Sequence, residues 1–474
     1  MKMCNIGIYG LGIMGRNLAL NLAGKGYAVS VYNRRDDGEE AVTESFVSSA
    51  RCQGKQIVGA ISPIDLVNSL SRPRKILIMV KAGAPVDETI DQLLPHVAPG
   101  DIIIDGGNSH YLDTAQRLAK LAETGVQYVG CGISGGAEGA LHGPSIMPGG
   151  SRTAWEEIGP MLQAIAARSG DSISCCQWIG PEGSGHFVKM VHNGIEYGLL
   201  QILAEAYDIM TRFLSMSSCD IASIFREWNR GLLRSYLMRI TADILQTLDG
   251  DGRPLIDKIC DSADHKGTGS DCAVSALKLS SPITVTSEAI LARFLSTLGT
   301  ARKVTATANI LHEFSTAEKS LLLQALQDAI YAAQTVAYAQ GFSMMATASA
   351  EYTWDLDIPQ IAGIWHSGCI IQSDLLDNMA ATLTCRNGNI MGDILCSENF
   401  RSHIEGWRQT VTMAVRQGIP APCLSSALAF YDGLRSERLP SALIQAQRDY
   451  FGAHGFERRD APRGNRYHSS WGRK

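Results

Sequence analysis

At 474 residues the chain is longer than one ordinary hydrophobic core serves, and a prior of roughly 100 to 200 residues per domain predicts two or three domains. With 45% hydrophobic and 19% charged residues and no low-complexity tract, a disordered chain is excluded. The formal net charge of −5 excludes a dominant nucleic-acid surface, which needs a concentrated basic patch, so any anionic ligand must be held locally.

The 12 cysteines are scattered, and no C-x-x-C or H-E-x-x-H spacing marks a zinc or redox site. Free thiols in a reducing, cytoplasmic setting are expected, with no metal. Arg16 and Asn17 break the first apolar run, which argues against a secretory leader. The uncharged stretch 329–350 is Ala-rich and broken by Gln334, Gln340 and Gly341, which suits a buried helix better than a membrane span.

In chain order, buried strands are predicted over 4–9, 28–32, 75–80, 101–104 and 127–129, alternating with amphipathic stretches. That alternation predicts a doubly wound, mostly parallel sheet: an α/β Rossmann-like N-terminal domain over 1–183. From Gly185 long helical periods follow, with breaks near 250–254, 266–271 and Pro359, predicting a large all-α domain over 184–439. Residues 440–474 read as an extended basic C-terminal tail with little core of its own. No repeat of fixed period is present.

Gly10-Leu11-Gly12-Ile13-Met14-Gly15 follows the first strand and opens a helix predicted over 16–23, the context a dinucleotide fingerprint requires. Gly10 allows the tight turn, Gly12 lets backbone approach a pyrophosphate, and Gly15 lets helix pack on sheet. The second strand ends Tyr32-Asn33-Arg34-Arg35. Arg34 can lie over adenine and pair with a 2′-phosphate, so NADP is favoured; Asp36 or Asp37 would serve a ribose if the strand ran longer. Arg35 also suits a solvated turn.

Lys189, His192, Asn193 and Glu196 fall at i, i+3, i+4 and i+7 and share one helix face, with Val188, Val191 and Ile195 apolar between them. Spacing alone leaves two readings, a solvated face or a lined pocket.

The chain resembles the 6-phosphogluconate dehydrogenase family, within the β-hydroxyacid dehydrogenases, over nearly its whole length. Besides the glycine fingerprint and the Lys189 helix, the resemblance rests on Val80-Lys81-Ala82-Gly83, Asp105-Gly106-Gly107-Asn108-Ser109, Ser134-Gly135-Gly136, Gly143-Pro144-Ser145-Ile146-Met147-Pro148-Gly149-Gly150, Lys266-Gly267-Thr268-Gly269 and Gln447-Arg448-Asp449-Tyr450-Phe451-Gly452-Ala453-His454. It implies NADP-dependent oxidative decarboxylation of 6-phospho-D-gluconate to D-ribulose 5-phosphate in the pentose phosphate pathway. Lys189 is then the general base, its pKa lowered by a closed pocket and neighbouring cations, and Glu196 the acid that protonates C1. Asn108, Ser134, Gly135, Gly136, His192 and Asn193 are implied to orient substrate, with Val80, Lys81, Ala82 and Asn108 beside the cofactor. Tyr197, Lys266, Thr268 and Arg293 are implied around the phosphate, joined by Arg448 and His454 of the partner subunit, which makes the protein an obligate homodimer with shared sites.

Several positions depart from the family pattern. His110 and Ala137 stand where Glu is usual, Ser270-Asp271 where Lys-Trp is, and His366-Ser367 and Gln372 where an Arg-Gly and a later Arg are. They leave open a paralogue acting on a related 3-hydroxy sugar acid, such as a 6-sulfonate analogue. A non-catalytic NADP-binding protein is disfavoured, because it would have no reason to keep a buried charged helix face.

Overall fold

The structure, a computed structural model, describes residues 3–34, 39, 41–170, 173–264, 267–305, 314–383 and 389–472. The chain forms two compact units, Met1–Ala427 and Leu428–Lys474. The first holds a seven-stranded sheet: β1 (Ile6–Tyr9), β2 (Val29–Tyr32), β3 (Ile57–Gly59), β4 (Lys75–Ile78), β5 (Ile102–Asp105), β6 (Gln127–Ile133) and β7 (Ile146–Gly150), in the order β3-β2-β1-β4-β5-β6-β7. All pairings are parallel except β6 with β7. The inner strands are buried on both faces, which is why they read as unbroken apolar runs.

The two strands that the sequence pattern misses are the sheet's edges. Two of the three β3 residues are exposed, so it has little apolar signal. β7 reads Ile-Met-Pro-Gly-Gly and looks like a turn; Pro148 is tolerated because an edge strand needs only one side of its backbone for pairing. The helices that frame the candidate site are α1 (Ile13–Gly24), α2 (Tyr111–Ala122), α3 (Gly136–His142), α4 (Ser184–Asp208), α5 (Thr268–Lys278), α6 (Thr284–Ser296) and α7 (Thr316–Tyr352); the second unit, by itself, holds α8 (Ser441–Gly452). Of the break expected over 266–271, the described residues 267–271 are not a simple break. Gly267, with φ of +94°, turns the chain into α5, and Ser270 and Asp271 lie in its first turn.

Sheet and helices share one unit because α4 lies directly on β6 and β7. A Cβ on Gly185 would come within 2.4 Å of the Gly130 and Met147 carbonyl oxygens, and one on Gly132 within 2.4 Å of Lys189 Cβ. Glycine on both surfaces lets the backbones approach closely. On its other side α4 packs against α7, the 37-residue helix that contains the stretch 329–350; there a Cβ on Gly341 would meet Ile195 Cδ1 at 2.5 Å. At the far end of α4, buried Glu205 accepts from the Cys423 and Leu424 amides at 2.9 and 3.0 Å, and burial pushes its carboxyl up to about 7. No helix among the described residues is long and apolar enough to cross a membrane.

The second unit is not extended throughout, contrary to the sequence expectation. After α8 the chain turns back, and Phe456 and Tyr467 pair through both backbone hydrogen bonds at 2.9 and 2.8 Å. The organising group is the buried carboxylate of Asp449, an isolated polar residue that composition alone cannot single out.

Because the clash at Gly185 is with backbone, Gly185→Ala is expected to cost roughly 1 to 3 kcal/mol or more and to lower the thermal midpoint by several degrees. Gly170→Ala, whose Cβ meets nothing within 4 Å, should leave the midpoint unchanged. Equal midpoints for the two variants would contradict the close helix-on-strand contact.

Candidate active site

At the cofactor end, β1 runs into Gly10, whose φ of +105° and 2.5 Å Cβ approach to the Met79 carbonyl oxygen allow only glycine. A Cβ on Gly15 would lie 2.0 Å from the Gly10 oxygen, whereas one on Gly12 meets nothing within 4 Å. The three glycines thus divide into two that close the fold and one that leaves room for a ligand. Gly12 is the N-cap of α1 without a side-chain cap, so the first-turn N–H groups can meet a phosphate. Leu11 is buried, Met14 half-buried and Ile13 72% exposed at the same helix start.

Asn33 secures this turn by accepting the Leu11 N–H at Oδ1, 2.9 Å away. Arg34 is exposed beyond β2, with Nε 3.8 Å from a Glu39 carboxylate oxygen. Arg35, Asp36 and Asp37 lie outside the described residues. The loop of Val80, Lys81 and Ala82 follows β4 next to β1, where strand order reverses and α/β folds open their ligand crevice.

The loop after β5 is organised by buried Asp105. Its carboxylate accepts from the Gly107 N–H (3.0 Å), Ser109 Oγ (2.6 Å) and Tyr128 OH (2.9 Å), and Arg117 stands 3.6 Å away. Asn108 is thereby presented to solvent at the tip. His186, on the first turn of α4, ties that loop to the helix: its Nε2–H donates to the Asp105 carbonyl at 3.1 Å, and Nδ1 is 2.6 Å from Thr114 Oγ1. Burial lowers its pKa, which keeps the ring neutral for this pairing.

One turn on, Lys189, His192 and Asn193 are all buried and Glu196 keeps 22% of its side chain exposed, so the face is turned into the protein rather than toward solvent. Lys189 Nζ is 3.3 Å from His192 Nδ1, which also faces Asn193 Oδ1 at 3.3 Å and Glu196 Oε2 at 3.7 Å. With the amine donating to Nδ1, the Nε2–H of His192 donates to Ser134 Oγ at 3.1 Å. His192 is held well below its ordinary pKa by burial and by the Lys189 charge.

The Lys189 amine is lowered from 10.5 by burial, with Glu196 and Cys369 pulling the other way. Among the described residues no neighbouring cation adds to this lowering, which the sequence reading expected alongside the closed pocket. The nearby cation Arg293 acts on Glu196 instead, where burial raises the carboxyl above 4.5 against the opposing charges of Lys189 and Arg293.

Ser134 follows directly on β6, and Gly135 and Gly136 turn the chain into α3 with φ of +111° and +61°; a Cβ on Gly135 would lie 2.5 Å from the Gly368 oxygen. Tyr197, next to Glu196, has the Arg293 guanidinium 3.7 Å over its ring, and Arg293 donates to the Asp264 carbonyl at 3.1 Å. A Cβ on Gly269 would reach the Tyr197 ring at 2.6 Å, which brings the first turn of α5, with Thr268, to the same place. Lys266 lies outside the described residues. Arg448 and His454 are both exposed in the second unit.

Two family profiles match this chain, the NAD binding domain of 6-phosphogluconate dehydrogenase over residues 5–180 and the 6-phosphogluconate dehydrogenase C-terminal domain over 185–471. The chain belongs to the 6-phosphogluconate dehydrogenase family. It is 45% identical to the decarboxylating 6-phosphogluconate dehydrogenase of Treponema pallidum, over 98% of this chain and 96% of that one. It is 46% identical to the decarboxylating enzyme 2 of Saccharomyces cerevisiae, over 95% and 92%. The solved Plasmodium falciparum 6-phosphogluconate dehydrogenase, studied apo, with its cofactor NADP+ and with its substrate 6-phosphogluconate, superposes with a TM-score of 0.91 at 36% identity, covering 99% of this chain and 100% of that one.

Some departures from the family pattern have local explanations. His110 Nδ1 accepts from the Leu112 N–H at 3.2 Å and so caps α2. His366 pairs with Asp377, and Gln372 Oε1 accepts from the Gly368 N–H at 3.0 Å, steadying the backbone against which Gly135 turns. Nothing in the structure explains Ala137, whose carbonyl accepts from Asn17 at 2.8 Å but whose methyl is exposed. The sequence reasoning missed Asp105, Arg117 and His186 as supports of the site. It also missed Trp365, which packs edge-on against His192 at 5.5 Å. His186 had a signal, lying one turn before Lys189 on the same face; Trp365 had none.

The glycine geometry separates binding from folding. Gly12→Ala is expected to keep the thermal midpoint within about a degree and to weaken NADP binding, because the new methyl projects only into ligand space. Gly15→Ala should lower the midpoint itself. Calorimetric titration and thermal melts of both variants check this, and a destabilised Gly12→Ala would contradict it.

Proposed function

We propose that the protein oxidises and decarboxylates 6-phospho-D-gluconate with NADP, releasing D-ribulose 5-phosphate and carbon dioxide. The observation that carries this is the buried Lys189 amine, lowered in pKa and in line with His192 and Ser134, on the helix that also holds a raised carboxyl at Glu196. When bound along α1, NADP supplies the acceptor for hydride from C3.

Lys189 takes the C3 hydroxyl proton as hydride leaves, so negative charge does not build up on oxygen. The β-keto acid so formed loses carbon dioxide as its carbonyl accepts the electron pair, and Lys189 returns the proton to the C3 oxygen. Glu196 then protonates C1 of the enediol while Lys189 takes back the proton of the adjacent hydroxyl, leaving the ketone. Before chemistry the cycle needs a neutral amine and a protonated carboxyl together, a combination that is rare at ordinary pKa values. Burial shifts both groups toward it. Neutral His192 serves as a fixed partner for the amine, while Asn108, Ser134, Gly135, Gly136 and Asn193 orient the substrate.

The cofactor is assigned to Gly10, Leu11, Gly12, Ile13, Met14, Gly15, Asn33, Arg34, Arg35, Val80, Lys81, Ala82 and Asn108. The phosphate is assigned to Tyr197, Lys266, Thr268 and Arg293, completed by Arg448 and His454 of the partner subunit. The protein acts in this reading as a cytoplasmic homodimer in the pentose phosphate pathway, with domains over 1–183, 184–439 and 440–474. Exposed Leu443, Ile444 and Phe451 on α8 favour a partner for that segment.

A second reading, a related 3-hydroxy sugar acid with another terminal anion, is favoured by Asp271. Its carboxylate lies in the first turn of α5, the turn that also carries Thr268, and would repel a dianionic phosphate bound at that turn. A substrate panel decides between them. A preference for another acid above about tenfold, roughly 1.4 kcal/mol in transition-state discrimination, would replace phosphogluconate.

Purified protein with NADP and 6-phosphogluconate is expected to produce NADPH absorbance and carbon dioxide together. Lys189→Met should abolish turnover with NADP affinity changed by only about two- to threefold, since the fold and α1 are untouched. Turnover surviving that change would remove the assignment of the base. The pH profile of kcat/KM should be a bell with both limbs inside the interval from 4.5 to 10.5, since the carboxyl is raised and the amine lowered. Glu196→Gln should erase one limb, and limbs at the ordinary values would refute the burial effect.

A further inference from the structure

The second unit contains a buried acid that the proposed mechanism does not use. Asp449 is 4% exposed, although its neighbours Arg448 and Tyr450 are exposed. Its Oδ1 accepts from the Gly455 N–H and His468 Nδ1, each at 2.8 Å, and its Oδ2 from Trp471 Nε1 at 2.7 Å and the Ser469 N–H at 3.2 Å. Burial works to raise this carboxyl, but the four donors outweigh it and hold the group at about 2, so it is ionised at working pH.

One turn earlier on the same face of α8 stands Gln445. Its Nε2–H donates to the Gly455 carbonyl at 2.6 Å, and its Oε1 accepts from Arg448 Nη1 at 3.2 Å. Gly455 is therefore gripped at both its N–H and its carbonyl, by two side chains of one helix. His454 sits between Ala453 and Gly455, whose φ values are +50° and +71°, and its carbonyl accepts from Arg466 at 3.2 Å. The backbone carrying His454 and the guanidinium of Arg448 are thus referred to a single pair of side chains.

We infer that Gln445 and Asp449 are positioning residues for the substrate's terminal anion: together they fix Arg448 relative to His454 so that both meet one phosphate. This rests on the assignment of Arg448 and His454 as phosphate contacts of a partner's site. The physical reason for such a clamp is entropic. Arginine on an exposed helix loses considerable rotamer freedom on binding, and a guanidinium already held by an amide oxygen loses less. Gln445 and Asp449 touch neither substrate nor cofactor in this scheme and act only through their two clients.

The test is steady-state kinetics on the intact full-length enzyme with 6-phosphogluconate and NADP, with assembly followed by sedimentation. Gln445→Leu and Asp449→Asn are each expected to raise the KM for 6-phosphogluconate about tenfold, in line with loss of a charge-assisted hydrogen bond. Meanwhile kcat should stay within about threefold and the KM for NADP should not move. Trp471→Phe, which removes one donor and leaves the carboxylate in place, should give a smaller rise of the same kind. In an Arg448→Ala, His454→Ala background, Gln445→Leu should add less than about twofold, because its clients are gone.

If Arg448→Ala raises the KM while Gln445→Leu and Asp449→Asn do not, the clamp is wrong and the phosphate assignment stands. If Arg448→Ala itself leaves the KM unchanged, the phosphate assignment fails and the clamp with it. A fall in kcat without a change in KM, or dissociation of the Gln445→Leu protein, would show a merely structural role and overturn the inference. Should Asp449→Asn fail to assemble, Gln445→Leu and Trp471→Phe decide the matter, since each leaves the buried carboxylate intact.

Discussion

The seating of α4 on β6 and β7 is the contact on which the site depends. Gly130, Gly132 and Gly149 on the strands face Gly185 and Lys189 on the helix at distances no Cβ would permit. Backbone rather than side chain sets the spacing, so the first turns of α4 are held against the sheet with little room to slide. An ordinary helix-on-sheet contact, cushioned by leucines, would place Lys189 farther out and wetter. Here the amine is buried, and burial is what lowers its pKa.

Around that seat the buried polar groups form connected sets instead of isolated charges. Asp105 gathers Gly107, Ser109, Tyr128 and Arg117. His186 carries the same network to α4, and three residues later Lys189 begins the sequence His192 to Ser134. Such groups tolerate burial only when partnered, and the partners also fix direction. The loop bearing Asn108 and the turn bearing Ser134 are therefore both referred to one helix, although they leave different strands. Trp365 closes the inner side of His192, which helps explain why that imidazole stays neutral between an amine and a carboxyl.

The glycine turn between β1 and α1 was legible in the sequence because its constraint is local: a strand, three glycines at fixed spacing and a helix start can all be read within about 20 residues. The Lys189 face was legible as a face, since i, i+3, i+4 and i+7 determine a stripe whatever surrounds it. Whether the stripe met water or a pocket was not legible, because that depends on β6, more than 50 positions earlier in the chain. β7 was missed for a related reason. Its Pro148 and two glycines have strand geometry only because β6 offers them a ladder. The tail was misread as extended because one buried aspartate, not an apolar run, organises its return.

By itself the sequence determined the fold class, the place of the glycine turn after β1 and which four side chains share a helix face, since each follows from spacing along one element. Only the tertiary structure decided which groups act on each expected pKa shift: burial dominates at both Lys189 and Glu196, no described cation lowers the amine, and Arg293 stands against Tyr197 and opposes the rise at Glu196. Desolvation is a property of everything packed around a group, and those atoms arrive from strands and helices that no local pattern brings together.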